Sequence, residues 1–233
     1  MVGEDPDEDE ESYVDPGAQP GDGKTDGDSS VDSVVYASCS TAPVRGLSLQ
    51  IAEEMRCMQP GLLVAFQPTS TITFASAAVL PYLEASTVSA LDRAAPDIGS
   101  ITVNSGLRSV AQQYLLDRWQ NAGRCGIQIA ASPGHSNHET GRAIDVANSA
   151  QASMEMRDED FSTVRHDPPH FDHLASPDLR SINVEAFQRL WNRNHPSDRI
   201  SEDGLYGNET AMRLAKSPSG GFSMGSSCAG PAE

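Results

Sequence analysis

"SNHETGRAIDV", residues 136–146, decides how the middle of this chain folds. It begins His138-Glu139, as an H-E-x-x-H metal-binding helix does, but its fifth position is Arg142. On a helix, His138 and Asp145 would lie two turns apart and share a face. Gly141 between them, with Ile144 and Val146 flanking Asp145, instead favours a strand, a glycine turn and a second strand. Either path lets the imidazole and the carboxylate converge. One nitrogen donor and one oxygen donor suit a metal ion such as zinc. By itself the pair also fits a surface histidine and a strand-end aspartate.

A catalytic metal takes three protein ligands and keeps a position open. The stretch "RHDPPHFDH", residues 165–173, holds His166, His170 and His173 around a rigid Pro168-Pro169 pair and is the natural source of a third ligand. Asp167 precedes His170 by three residues, so an extended approach can bring both to one metal, with the carboxylate as general base.

The surrounding pattern is mixed. Residues 47–58 have helical spacing through Leu47, Ile51, Met55 and Met58, stopped by Pro60-Gly61. Residues 61–74 alternate and read as one or two strands, and residues 76–95 as a helix with Pro81 near its start. A short strand follows at 100–106, then an amphipathic helix over 108–121 closed by Gly123. "IQIAA", 127–131, reads as a strand, the stretch up to Asp167 as loop, and 170–174 as strand.

Charge and cysteines bound the setting. The chain has 233 residues and a net charge of -17, and residues 1–37 hold 12 acidic residues against one Lys. The leader is too poor in apolar residues to offset its ordering entropy and reads as disordered. Such an acidic chain is a poor partner for nucleic acid, whose phosphates need Lys and Arg. No apolar run is long enough for a membrane span. The opening shows no signal-peptide pattern, and Met1-Val2 before an acidic tail fits a mature exported protein. Four widely spaced cysteines fit an oxidising compartment. Cys39 with Cys57 and Cys125 with Cys228 is the expected pairing, with reduced buried thiols as the alternative.

Three segments in order carry a family resemblance. "PGHSNHETGRAID" matches P-G-x-S-x-H-x-T-G-x-A-x-D, "DPPHFD" resembles D-x-P-H-F-E or E-x-W-H, and "NSGLRSVAQQ" resembles S-G-Y-R-S-x-x-x-Q. Over roughly residues 75–175 the chain thus resembles the zinc D-alanyl-D-alanine carboxypeptidase and L-alanyl-D-glutamate endopeptidase family. The resemblance implies Zn2+ held by His138, Asp145 and His170, with Asp167 as the base. It puts Arg108 at a substrate carboxylate, with Ser136 and Gln113 also on the substrate. His135, His166 and His173 are left as rim or supporting groups, and Glu139 as a bystander. Two departures stand out. Leu107 replaces a frequent Tyr, and Asp167 replaces the Glu of one branch. The 25 residues from Asp145 to His170 are few for the family's helix and strand, which points to an open, shallow cleft.

Beyond residue 176 the pattern changes. Val184, Phe187, Leu190 and Trp191 share one helical face. With Asp203, Gly204, Tyr206, Gly207 and Thr210 they resemble a small three-helix peptidoglycan-binding module that lacks its closing helix motif. The expected fold is α+β: a small antiparallel sheet with flanking helices around a zinc cleft. The expected divisions are a leader at 1–37, a peptidase domain at 38–176, a helical module at 177–222 and a flexible tail at 223–233. The implied protein is a secreted or periplasmic bacterial monomer acting on peptidoglycan stem peptides. D-alanyl-D-alanine carboxypeptidase, L-Ala–D-Glu endopeptidase and non-catalytic wall binding are the competing activities.

Overall fold

The computed structural model describes residues 29–165 and 167–228. The helices are α1 (Val31–Ala37), α2 (Arg45–Met58), α3 (Ala85–Ile98), α4 (Val110–Asn121), α5 (Ser149–Asp158), α6 (Arg180–Asn194) and α7 (Asn208–Lys216). The strands are β1 (Leu63–Ala65), β2 (Ile72–Phe74), β3 (Tyr82–Glu84), β4 (Ile101–Ser105), β5 (Ala143–Val146), β6 (Ser162–Val164) and β7 (Asp167–Asp172). The fold is α+β. β1 and β3 form a two-stranded ribbon, and the main sheet runs β2-β4-β5-β7-β6. That sheet is antiparallel except at one edge, where β2 and β4 run parallel.

Strand alternation gives the sheet two chemically different faces. Ile144, Val146 and Phe171 join Ile101 and Val103 in an apolar cluster with Leu91, Ala94 and Ala95 of α3 and Ala152 and Met156 of α5. Asp145, one residue out of phase with Ile144 and Val146, turns to the opposite face. His170, out of phase with Phe171, does the same. Asp145 and His170 are cross-strand partners in the β5–β7 register, so imidazole and carboxylate meet there.

A second cluster fills the space among α1, α2, α4, α6 and α7. Val31, Val34 and Val35 lie in it fully buried, so residues 31–37 are a packed helix and not the end of a disordered leader. Residues 1–28 lie outside the described part. Val184, Phe187, Leu190 and Trp191 enter the same cluster from α6, as the shared helical face required. α6 packs along α2, and residues 177–222 therefore draw on a core common with the preceding segment.

The cysteines pair Cys39–Cys125 and Cys57–Cys228, which corrects the pairing expected from sequence. The reason is helix packing. α1 lies on α4, with Trp119 Nε1 donating to Val35 O and Arg124 to Tyr36 O, so Cys39 after α1 meets Cys125 after α4. Cys57 in the last turn of α2 receives the C-terminal segment that runs back over α2 and α6. That segment is not free over 223–228. Besides the disulfide, Arg193 donates to Gly225 O, Asn194 to Met224 O, and Ser227 N to Glu54 Oε2.

Glu54 is the electrostatic knot of this side. Its carboxylate is fully buried, 2.9 Å from Arg193 Nη2 and 3.0 Å from Arg189 Nε. Burial pushes its pKa up, but the bonds from Arg193 and Ser227 more than reverse this and leave it below the ordinary carboxylate value. A lowered folded-state pKa stabilises above the unfolded value near ~4.3, and that contribution is lost as pH falls through the folded value. Glu54→Gln is therefore expected to cost about 2–3 kcal/mol at pH 7 in urea unfolding, with the gap to wild type narrowing below about pH 4. An equal gap at both pH values contradicts this.

Other local expectations shift as well. Tyr82–Glu84 is a strand, and the helix starts only at Ala85, capped by the Glu84 carboxylate. Residues 127–131 form no strand. The stretch between Asp145 and His170 holds both α5 and β6, so the short spacing still accommodates a helix and a strand. The open, shallow cleft expected there does not follow.

Candidate metal and substrate site

His138 does not sit on a strand. Asn137–Thr140 is a 3-10 turn, capped by Ser136 and Glu139 in a reciprocal capping box. Gly141 ends it at φ 78°, in the left-handed region that favours glycine. This turn feeds β5 directly and sets Asp145 against His138. Glu139 serves the turn: its carboxylate accepts from the backbone N–H groups of Gly134 and Ser136. It is a scaffold for the turn and not a base.

His138, Asp145 and His170 converge, each offering one donor atom, and those atoms lie within 4.8 Å of one another. Asp145 Oδ1 is 3.2 Å from His138 Nε2 and 3.1 Å from His170 Nδ1. All three residues are at most 2% exposed. His138 Nδ1 lies 2.9 Å from Gly106 O, which makes it the protonated nitrogen and directs Nε2 into the cluster. Burial pushes the Asp145 carboxyl up, yet the His138 and His170 imidazoles beside it hold it well below the usual range. Burial pushes His170 down, and the carboxylates of Asp145 and Asp172 more than reverse it. Among the described residues, His138 Nε2 and Asp145 Oδ2 have no hydrogen-bond partner. Buried polar atoms rarely stay unsatisfied, so the cluster has the chemistry to hold a cation.

Asp167 reaches the same place by an irregularity. Three residues apart on a regular strand, Asp167 and His170 would face opposite sides. The β6–β7 register breaks between Thr163, paired with Phe171, and Val164, paired with Asp167. Pro168 and Pro169 lie in that break. The bulge brings Asp167 Oδ2 to 3.9 Å from His170 Nδ1, with the side chain 1% exposed.

Arg108 stands on the other side of Asp145, Nη2 to Oδ2 at 3.9 Å. It ends the turn just before α4, whose start is fixed by a Ser109–Gln112 capping box. Its N–H donates to His138 O, and its carbonyl accepts from Asn183 Nδ2. Its guanidinium donates to Gln113 Oε1 at 3.0 Å and to Ser136 Oγ at 3.4 Å. Gln113, fully buried, passes the link to Ala131 O. Gln113 and Ser136 thus hold the Arg108 fork.

The remaining candidates lie elsewhere. His173 bonds Ser176, which bonds Ser86 and Thr87 at the start of α3, away from the cluster. His135 offers its backbone carbonyl to Arg180. His195 stacks on Trp191. His166 lies outside the described residues. Leu107 is buried in the helical core, so it forms no aromatic wall. Three contributors were missed by sequence. The Gly106 carbonyl carries no side-chain signal. Asn183 bonds Arg108 O, Glu139 O and Val110 N from α6. Asp172, at the sixth position of "DPPHFD", lies 3.2 Å from His170 Nε2.

A buried two-histidine, one-carboxylate cluster beside a braced arginine and a second carboxylate, Asp167, has the donor chemistry of a metallohydrolase type of site. Residues 82–173 match the family model described as VanY: D-alanyl-D-alanine carboxypeptidase, and the chain carries a domain of that family over this stretch. The matched segment contains Arg108, Ser136, His138, Asp145, Asp167 and His170. Neither the curated proteins nor the solved structures offer a match to this chain.

Proposed function

We propose that the protein is a zinc-dependent peptidase that hydrolyses peptidoglycan stem peptides, removing a terminal D-alanine as a D-alanyl-D-alanine carboxypeptidase. One observation carries the reading: a nearly buried guanidinium, Arg108, faces the donor cluster of His138, Asp145 and His170. Tetrahedral zinc with bonds of about 2.1 Å places its donors roughly 3.4 Å apart. The spacings around Asp145 Oδ1 fall close to that.

Zinc, when bound, polarises a carbonyl and makes water acidic enough to attack near neutral pH. The chain's own residues do the rest. Arg108 grips the free carboxylate of the stem peptide with two charge-assisted bonds, which only a planar fork supplies. Gln113 and Ser136 keep that fork from swinging. Asp167 takes the proton from the attacking water and returns it to the leaving amine. Residues 177–222 serve as a buttress in this reading, through Asn183 behind Arg108. Tyr206 also presses on the loop at Gly134. The disulfides suit a secreted or periplasmic setting. Among the described residues no helix is long and apolar enough to cross a membrane.

The form Asp167-Pro-Pro-His-Phe-Asp172 favours a second reading, cleavage between L-Ala and D-Glu. Mass spectrometry of defined pentapeptide muropeptides incubated with zinc and protein separates the two. Loss of one alanine supports the carboxypeptidase. Release at the L-Ala end supports the endopeptidase. Intact muropeptides contradict both.

A further inference from the structure

His170 is approached by a carboxylate at each ring nitrogen. Nδ1 lies 3.1 Å from Asp145 Oδ1 and is the nitrogen that faces the donor cluster. Nε2, across the ring, lies 3.2 Å from Asp172 Oδ1. Residues 170 and 172 share a face of β7 by strand alternation. Asp172 is 4% exposed, and the direct donor set does not include it. Its second oxygen, Oδ2, accepts from Asn137 Nδ2 at 3.2 Å. Its first, Oδ1, is within ion-pair distance of His170 but out of line for a hydrogen bond, and has no hydrogen-bond partner among the described residues. A carboxylate this buried is costly unless something uses its charge.

We infer that Asp172 is a positioning residue of the metal centre. Its negative charge, 3.2 Å from His170 Nε2, favours the tautomer protonated at that nitrogen, which leaves the Nδ1 lone pair for the metal. Through Asn137 it also ties that imidazole to the turn that presents His138. A neutral imidazole has two tautomers, and only the one protonated at Nε2 can donate through Nδ1. A carboxylate behind the ring selects that tautomer and raises the basicity of the donor nitrogen. The arrangement at His138 is parallel, with the Gly106 carbonyl in the role of Asp172. The inference rests on the metal-centre reading above.

The test is zinc affinity of the full chain, measured by competition with a chromophoric chelator, together with the visible spectrum of the Co2+-loaded protein. Asp172→Asn keeps shape and removes charge. It is expected to bind zinc roughly 10- to 100-fold more weakly and to shift the cobalt bands, while the metal-free protein melts as wild type does. Asn137→Ala is expected to move affinity the same way by less, and it carries the test should Asp172→Asn not fold. Unchanged zinc affinity and cobalt bands overturn the inference. So does a fall in metal-free melting temperature with wild-type affinity in the folded fraction, which marks a structural role alone. Absence of zinc binding by wild type overturns the metal centre itself, a separate result from wild-type and variant proteins binding equally.

Discussion

Asp167→Asn is expected to lower kcat/KM by roughly 10²- to 10⁴-fold while zinc remains bound. The side chain is not one of the three converging donors, so its loss leaves them in place. Asparagine fills the same volume but cannot take a proton from water. The loss should therefore fall on kcat, with KM little changed. Asp167 is one methylene shorter than glutamate, and the register break at Pro168-Pro169 makes up reach by moving the backbone. Steady-state kinetics on a pentapeptide, with metal content measured on the same sample, checks the prediction. A non-catalytic wall-binding protein predicts no activity in wild type and unchanged wall binding in the variant. Full activity in Asp167→Asn would remove the base assignment.

Arg108→Ala is expected to reduce kcat/KM by roughly 10²- to 10³-fold on a substrate with a free terminal carboxylate. Two charge-assisted bonds at about 1.5–2 kcal/mol each account for that range. Amidating the substrate's terminal carboxylate should cost wild type a similar factor and cost the variant little more. That coupling is the signature of direct contact. Equal losses on free and amidated substrates would mean that Arg108 only supports Asp145, to which it lies 3.9 Å away. Arg108→Lys should recover little, because an ammonium offers no fork.

Much of the site is written in residue alternation. Ile144 and Val146 mark the apolar face of β5, and Asp145 between them has to face the other way. Phe171 does the same for His170. The residues alone left the third donor open among the histidines of 165–173, and the family resemblance singled out His170; α4 was legible from its apolar spacing and the closing Gly123. What escaped was set by long-range packing. α5 is nearly polar all round, with only Ala152 and Met156 buried, so its spacing gave little signal. Residues 82–84 become a strand because β1 lies alongside to pair with them. The disulfides follow from which helices touch, α1 with α4 and α2 with the C-terminal segment. Asn183 lies 75 residues from Arg108 along the chain, and no local pattern links them.

The central claim is that His138, Asp145 and His170 hold one zinc ion. Zinc per chain, measured by elemental mass spectrometry after equilibration with zinc and removal of excess, tests it in wild type beside Asp145→Ala. About one zinc per wild-type chain and none in the variant is predicted, because Asp145 Oδ1 is the atom both imidazoles approach. No zinc in the wild-type protein, or the same amount in both, would contradict it.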